Sequence, residues 1–134
     1  MSLVDRLSDI GVKVTEKPTG VAQAVMHELV NYLELLASNG EVNAIDLRSL
    51  PMNEADRDEL SILLGKGEVD ITLNTIGSSR IVETTYSGIW WITHYGEDNK
   101  VVSELLEVTT MPDIVRSQKD DIFDALERIR LVPN

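Results

Sequence analysis

At Glu68 the hydrophobic period of this chain changes from 3.6 residues to 2, and that switch limits the fold more than any other feature. Upstream, Val21, Val25, Leu29, Leu33 and Leu36 fall on one helical stripe, with His27, Asn31 and Glu34 opposite. Gly40, after Ser38 and Asn39, supplies a left-handed stop for that helix. Downstream, Val69, Ile71 and Leu73 alternate with Asp70, Thr72 and Asn74, as in a strand with one buried face.

Between the two regimes, 42–47 reads as a short strand through Ala44, Ile45 and Leu47, and Pro51 interrupts it. Asn53 is a good helix N-cap, with Asp56 three residues on in a capping-box position. Leu60 and Leu64 mark one face of the helix that follows, and Gly65 ends it. Beyond Glu68, Gly77-Ser78-Ser79 predicts a turn into the β-branched run 80–86, and Gly88 opens a further run over 89–95. Gly96-Glu97-Asp98-Asn99-Lys100 turns the chain again, into 101–110. Short turns between consecutive runs imply antiparallel neighbours, hence a meander. Pro112 ends the last strand, and 119–131 carries a final apolar stripe of Ile122, Phe123, Leu126 and Ile129.

The expected architecture is therefore α+β: helices packed on one face of a mostly antiparallel sheet of about five strands. Its order is helix, strand, helix, four-strand meander, helix. Residues 1–18, with mixed charges, Gly11 and Pro18, read as a loosely attached N-terminal leader, and 19–134 as a single domain.

A chain of 134 residues is long enough for a core that folds without staples. It has no cysteine, hence no disulfide, no thiolate nucleophile and no cysteine-based zinc or iron–sulfur site. It lacks the long apolar run of a membrane-spanning helix, and Met1 to Arg6 lacks the apolar core of a signal peptide. A cytoplasmic location without membrane insertion is the plain expectation. Acidic residues outnumber basic ones 23 to 12, for a net charge of -11. Such a chain repels a line of phosphates, which argues against nucleic acid as a partner. It would attract a basic peptide or protein surface, although the same charge also suits a plain solvated surface.

The candidate chemistry is sparse. His27 and His94 are the only imidazoles, His27 on the polar face of the first helix and His94 on the same strand face as Trp90 and Ile92. No Gly-x-Ser-x-Gly elbow accompanies either, and two histidines without cysteine make no metal-ligand spacing. Leu64-Gly65-Lys66-Gly67-Glu68 leads from helix into strand, the reverse of a phosphate loop, so it reads as a structural turn. No cofactor or metal is expected. Trp90-Trp91 is the most unusual local feature, because adjacent strand residues point to opposite faces and only one of the two can enter the main core. The other is either covered by a different element or offered as a contact, and exposed tryptophan is enriched at binding hot spots.

The order of several short motifs carries more. The segment Ala44-Ile45-Asp46-Leu47-Arg48-Ser49-Leu50-Pro51-Met52-Asn53-Glu54-Ala55-Asp56 resembles the strand, Leu-Pro turn and acidic helix start of the HupH/HyaF family of hydrogenase expression proteins. Leu60 and Leu64-Gly65-Lys66-Gly67-Glu68-Val69 resemble its leucine-rich helix and Leu-Gly-x-Gly turn. Thr75-Ile76-Gly77, Gly88-Ile89-Trp90, Leu105-Leu106-Glu107 and Met111-Pro112 follow in the family's order, so that the resemblance spans about 40–130 of the chain. It implies a non-enzymatic chaperone for [NiFe]-hydrogenase maturation, whose partner is the small, iron–sulfur-carrying subunit precursor or another accessory protein. That precursor bears a basic twin-arginine signal, which an acidic protein would favour. Longer members of the family carry two copies of the Leu-Pro to Gly-x-Trp pattern and this chain carries one, which makes a homodimer a further expectation. The family supplies no catalytic residue to transfer. The candidate partner-binding residues are Trp90, Trp91, Glu104 and Glu107. The competing expectations are a small-ligand protein or enzyme using His94 with Glu104 or Glu107, and a self-assembling structural domain.

Overall fold

In the computed structural model, which describes residues 16–134, the chain runs from helix α1 (Val21–Asn39) through strand β1 (Asn43–Asp46) to helix α2 (Glu54–Leu64). Strands β2 (Asp70–Thr75), β3 (Gly77–Glu83), β4 (Ile89–Tyr95) and β5 (Val101–Val108) follow, and helix α3 (Lys119–Arg130) comes last. The α+β class and the element order match the expectation. The leader expected over 1–18 falls, up to residue 15, outside the described residues.

Local chemistry sets the helix ends. Gly40, at φ 74°, stops α1, and its N–H donates to the Leu36 carbonyl at 3.0 Å. The start of α2 is a reciprocal capping box. The Asn53 side chain accepts the Asp56 N–H at 2.8 Å, and the Asp56 carboxylate accepts the Asn53 N–H at 3.1 Å. Asp56 is fully buried and also accepts the Thr19 N–H at 2.6 Å and the Thr19 hydroxyl at 2.7 Å. It therefore ties the chain entering α1 to the start of α2. The Thr19 hydroxyl, foremost among these donors, holds the Asp56 carboxyl below its usual range against the opposing effect of burial.

β2 to β5 form the meander and β1 adds beside β5, which gives the order β1-β5-β4-β3-β2 with every neighbour antiparallel. The first hairpin departs from the expected turn at Gly77-Ser78-Ser79. Thr75 pairs with Gly77, so the chain reverses at Ile76 and both serines already lie on β3. Ser79 tolerates the strand because its hydroxyl sits 2.7 Å from His94 Nδ1. Gly77 has φ 79°, and a Cβ there would lie 2.2 Å from the Tyr95 carbonyl oxygen. Only glycine lets β3 begin so close to the end of β4.

Strand alternation gives the sheet two apolar faces. On one, Ile89, Leu106 and Val108 pack with Ala22, Val25 and Leu29 of α1 and Leu60 and Leu64 of α2. On the other, Ile81, Trp90 and Ile92 form a second cluster with Ile71, Leu73, Leu105 and Val115 around it. The packed helix layer consists of α1 and α2, whereas every residue of α3 is exposed. Among the described residues no helix is long and apolar enough to cross a membrane.

Candidate partner-binding site

The same alternation separates the two tryptophans. Trp90 is 3% exposed, packs with Ile81 and Ile92, and donates its indole N–H to the Thr109 carbonyl at 3.0 Å. Trp91 faces the helix layer, is half-buried beside the first core cluster, and donates its N–H to Glu104 Oε2 at 3.0 Å. Thr93, directly opposite Glu104 in the register, donates its hydroxyl to the same oxygen at 3.3 Å. Arg57 of α2 forms an ion pair with that oxygen, and its guanidinium carbon sits 5.8 Å from the Trp91 ring centroid. One buried carboxylate thus gathers three donors, one of them a cation stacked on the neighbouring indole.

The four candidate residues therefore divide into two pairs on opposite faces. Trp91 and Glu104 are in contact on the helix side. Trp90 and Glu107 are register partners on the other. Glu107 is half-buried, and burial, followed by the nearby Asp113 charge, pushes its carboxyl above the usual range. Arg57 is not among the candidate residues expected from sequence. A signal was present: Arg57, Leu60 and Leu64 recur at i, i+3 and i+7, which puts Arg57 on the buried side of α2.

Two shallow clefts flank the stacked pair. One, of about 210 Å³, is lined by Lys66, Arg80, Val82, Trp91, Thr93 and Tyr95. The other, of about 270 Å³, is lined by Arg48, Leu50, Met52, Glu54 and Arg57 among others. Arg57 borders one and Trp91 the other, so the pair forms the ridge between them. In the Trp91 cleft Asp70 bridges Arg80 at 2.8 Å and Lys66 at 2.9 Å, and these cations, Arg80 foremost, hold its carboxyl far below the usual range. Two cations against one anion leave this rim locally positive on a chain whose net charge is -11.

His94 does not join the carboxylates suggested for it. It is opposite Ser103, so Glu104, one residue on, projects from the other face of the sheet. Glu107 shares its face but aligns with Trp90, four residues along β4, about 13 Å away at the usual rise of a strand. His27 is exposed on α1. Among the described residues no three His, Asp or Glu side chains converge as a metal site.

Residues 20–133 match the family described as HupH hydrogenase expression protein, C-terminal conserved region. The chain is 31% identical over 119 residues to the hydrogenase expression/formation protein HoxQ of Azotobacter vinelandii, an alignment covering 86% of this chain and 42% of that protein. It is 33% identical over 93 residues to the hydrogenase expression/formation protein HupH of Rhodobacter capsulatus, covering 69% and 34%. With the hydrogenase-1 operon protein HyaF of Escherichia coli K12 it shares 28% identity over 103 residues, covering 77% and 35%. The solved structure of the hydrogenase expression protein HupH from Thiobacillus denitrificans superposes with a TM-score of 0.82 at 34% identity, over 85% of this chain and 95% of that one. The chain thus spans 42% or less of each of these three curated relatives.

Proposed function

This chain belongs to the HupH hydrogenase expression protein family, and from that premise we propose that it is a non-catalytic accessory protein in [NiFe]-hydrogenase maturation. It binds the small, iron–sulfur subunit precursor, or another assembly factor, and holds it before assembly or export. The observation that carries this reading is the family match, which runs through nearly the whole described chain. The geometry supports a contact at the Trp91–Arg57 pair. Trp and Arg dominate interface hot spots, and here a half-buried Trp91 lies stacked under Arg57 with its N–H fixed by Glu104. A side chain already locked in place loses little entropy when a partner covers it. The chain's acidic excess favours the basic signal peptide of a precursor in the first encounter.

The enzyme reading, with His94 and a carboxylate as its machinery, has no comparable support, because Glu104 and His94 project from opposite faces. A pull-down from cells growing on hydrogen, with this chain as bait, tests the proposal. Recovery of a small-subunit precursor or its accessory proteins supports it. A clean negative, in cells where hydrogenase is visibly expressed, rejects it. A separate arm deletes the signal peptide from the precursor. An affinity and salt dependence left unchanged by that deletion would sink the charge-guided encounter while leaving the binding itself in place.

A further inference from the structure

On its helix side the sheet presents cations and keeps the anions that pair with them further in. Lys66 and Arg80 are 58% and 51% exposed, whereas Asp70, the carboxylate they share, is 33% exposed. Nearby, the half-exposed Arg57 pairs with the buried Glu104. In these ion pairs three cations meet two carboxylates, a surplus of one positive charge on a chain of net charge -11. A partner reaching this side meets ammonium and guanidinium groups first.

The cleft beside Trp91 collects that surplus. Lys66 and Arg80 line it and, among the described residues, no carboxylate does. Arg80 donates its Nε–H to Asp70 at 3.2 Å and an Nη2–H at 2.8 Å, which leaves its Nη1 group outside the pair. Lys66 gives the same carboxylate one ammonium proton at 2.9 Å and keeps the others. Among the described residues neither cation has a second carboxylate. The next row of the sheet is apolar, with Val82 directly opposite Trp91, as Arg80 is opposite Thr93. A cationic end and an apolar end thus lie side by side in one cleft.

Size and charge together select the ligand. At about 210 Å³ the cleft is smaller than a typical small-molecule site, of roughly 300–1,000 Å³, and suits side chains of a peptide instead. One surplus positive charge matches one carboxylate. A phosphate dianion would bring a second negative charge against Asp70 with nothing to offset it.

We infer that this cleft binds an acidic peptide segment of a partner protein: an Asp or Glu carboxylate bridges Lys66 and Arg80 while an apolar neighbour lies on Val82 and Trp91. Occupancy of the cleft is independent of the hydrogenase role, because a short peptide suffices as ligand.

NMR titration of the isotope-labelled full chain with acetyl-Leu-Glu-Leu-amide tests it. The two indole N–H signals, assigned with Trp91→Phe, give a site and its control in one spectrum. Trp91 lines the cleft, whereas Trp90 is buried on the opposite face of the sheet. The Trp91 signal shifts with a Kd of about 1 mM, and the Trp90 signal stays in place. The glutamine counterpart, acetyl-Leu-Gln-Leu-amide, binds about tenfold more weakly, since it loses the charge-assisted bonds. Lys66→Gln and Arg80→Gln each weaken the glutamate peptide about fivefold, and unchanged signals elsewhere show that each variant keeps the fold. An unmoved Trp91 signal, equal shifts from the two peptides, or affinity indifferent to both substitutions overturns the inference. Inorganic phosphate that shifts the Trp91 signal at lower concentration than the glutamate peptide also overturns it, in favour of a phosphate ligand.

Discussion

Glu104 is 2% exposed, carries a charge, and sits on β5 beneath α2, a place that a carboxylate occupies only with full compensation. Arg57, Trp91 and Thr93 supply it through one oxygen. Glu104→Ala leaves the indole and the hydroxyl unpaired, and Arg57, whose side chain is 42% exposed, recovers part of its loss in water. The expected destabilisation in urea melts is roughly 2–3 kcal/mol, below that of a fully buried pair. A change under about 0.5 kcal/mol, the surface-substitution range, contradicts it. Asp56 and Asp70 make a pH prediction of definite sign. Their folded carboxyls titrate below the unfolded value of about 3.9, so the stability they contribute is complete above that pH. It is lost as pH falls further, through their folded values. Asp56→Asn and Asp70→Asn should each lower stability at neutral pH and flatten its decline in acid. Glu107, pushed the other way, favours folding only while protonated, so Glu107→Gln should not destabilise the protein at pH 7. The Trp pair was legible at this scale as two residues on opposite faces. Which one stays accessible was not, because that depends on the register of β4 with β3 and β5.

At the scale of elements, the helices and strands follow from period and caps. Asn53 and Asp56 build the predicted box, and Asn53→Ala should cost about 1 kcal/mol in thermal or urea melts by freeing the first turn of α2. The hairpin at Ile76 shows where reading stops. Gly-Ser-Ser looks like a turn by composition, yet the backbone reverses one residue earlier because Gly77 must pass against Tyr95. Gly77→Ala, strained both by its φ and by that contact, should destabilise by more than about 1 kcal/mol. A melt unchanged by this substitution would mean that the hairpin can shift its register. α3 was legible as an amphipathic helix, but an apolar stripe announces only that something covers it. The sequence places it last among helices packed on the sheet, whereas the structure leaves its stripe open.

Across the whole molecule, one antiparallel sheet separates two apolar clusters, and this decides which candidate residues act together. Alternation carries Trp91, Thr93 and Glu104 to the helix side and Trp90, His94 and Glu107 to the other. The order of turn and strand motifs was enough to identify the family from sequence, because turn glycines and prolines are fixed by backbone geometry. The Trp91–Arg57 pairing proposed as the contact was not legible, since it arises where α2 meets β4 and β5, segments remote in the chain. The Trp91–Arg57 ridge is the proposed contact for a hydrogenase subunit precursor. Calorimetric titration of purified small-subunit precursor into wild-type chain and into Trp91→Ala tests it most directly. The account predicts measurable binding to the wild type and a loss of 2 kcal/mol or more, about thirtyfold, in the variant, as for a hot-spot residue, with the fold retained by circular dichroism. No heat of binding to the wild type, or equal affinity for both chains, would contradict it.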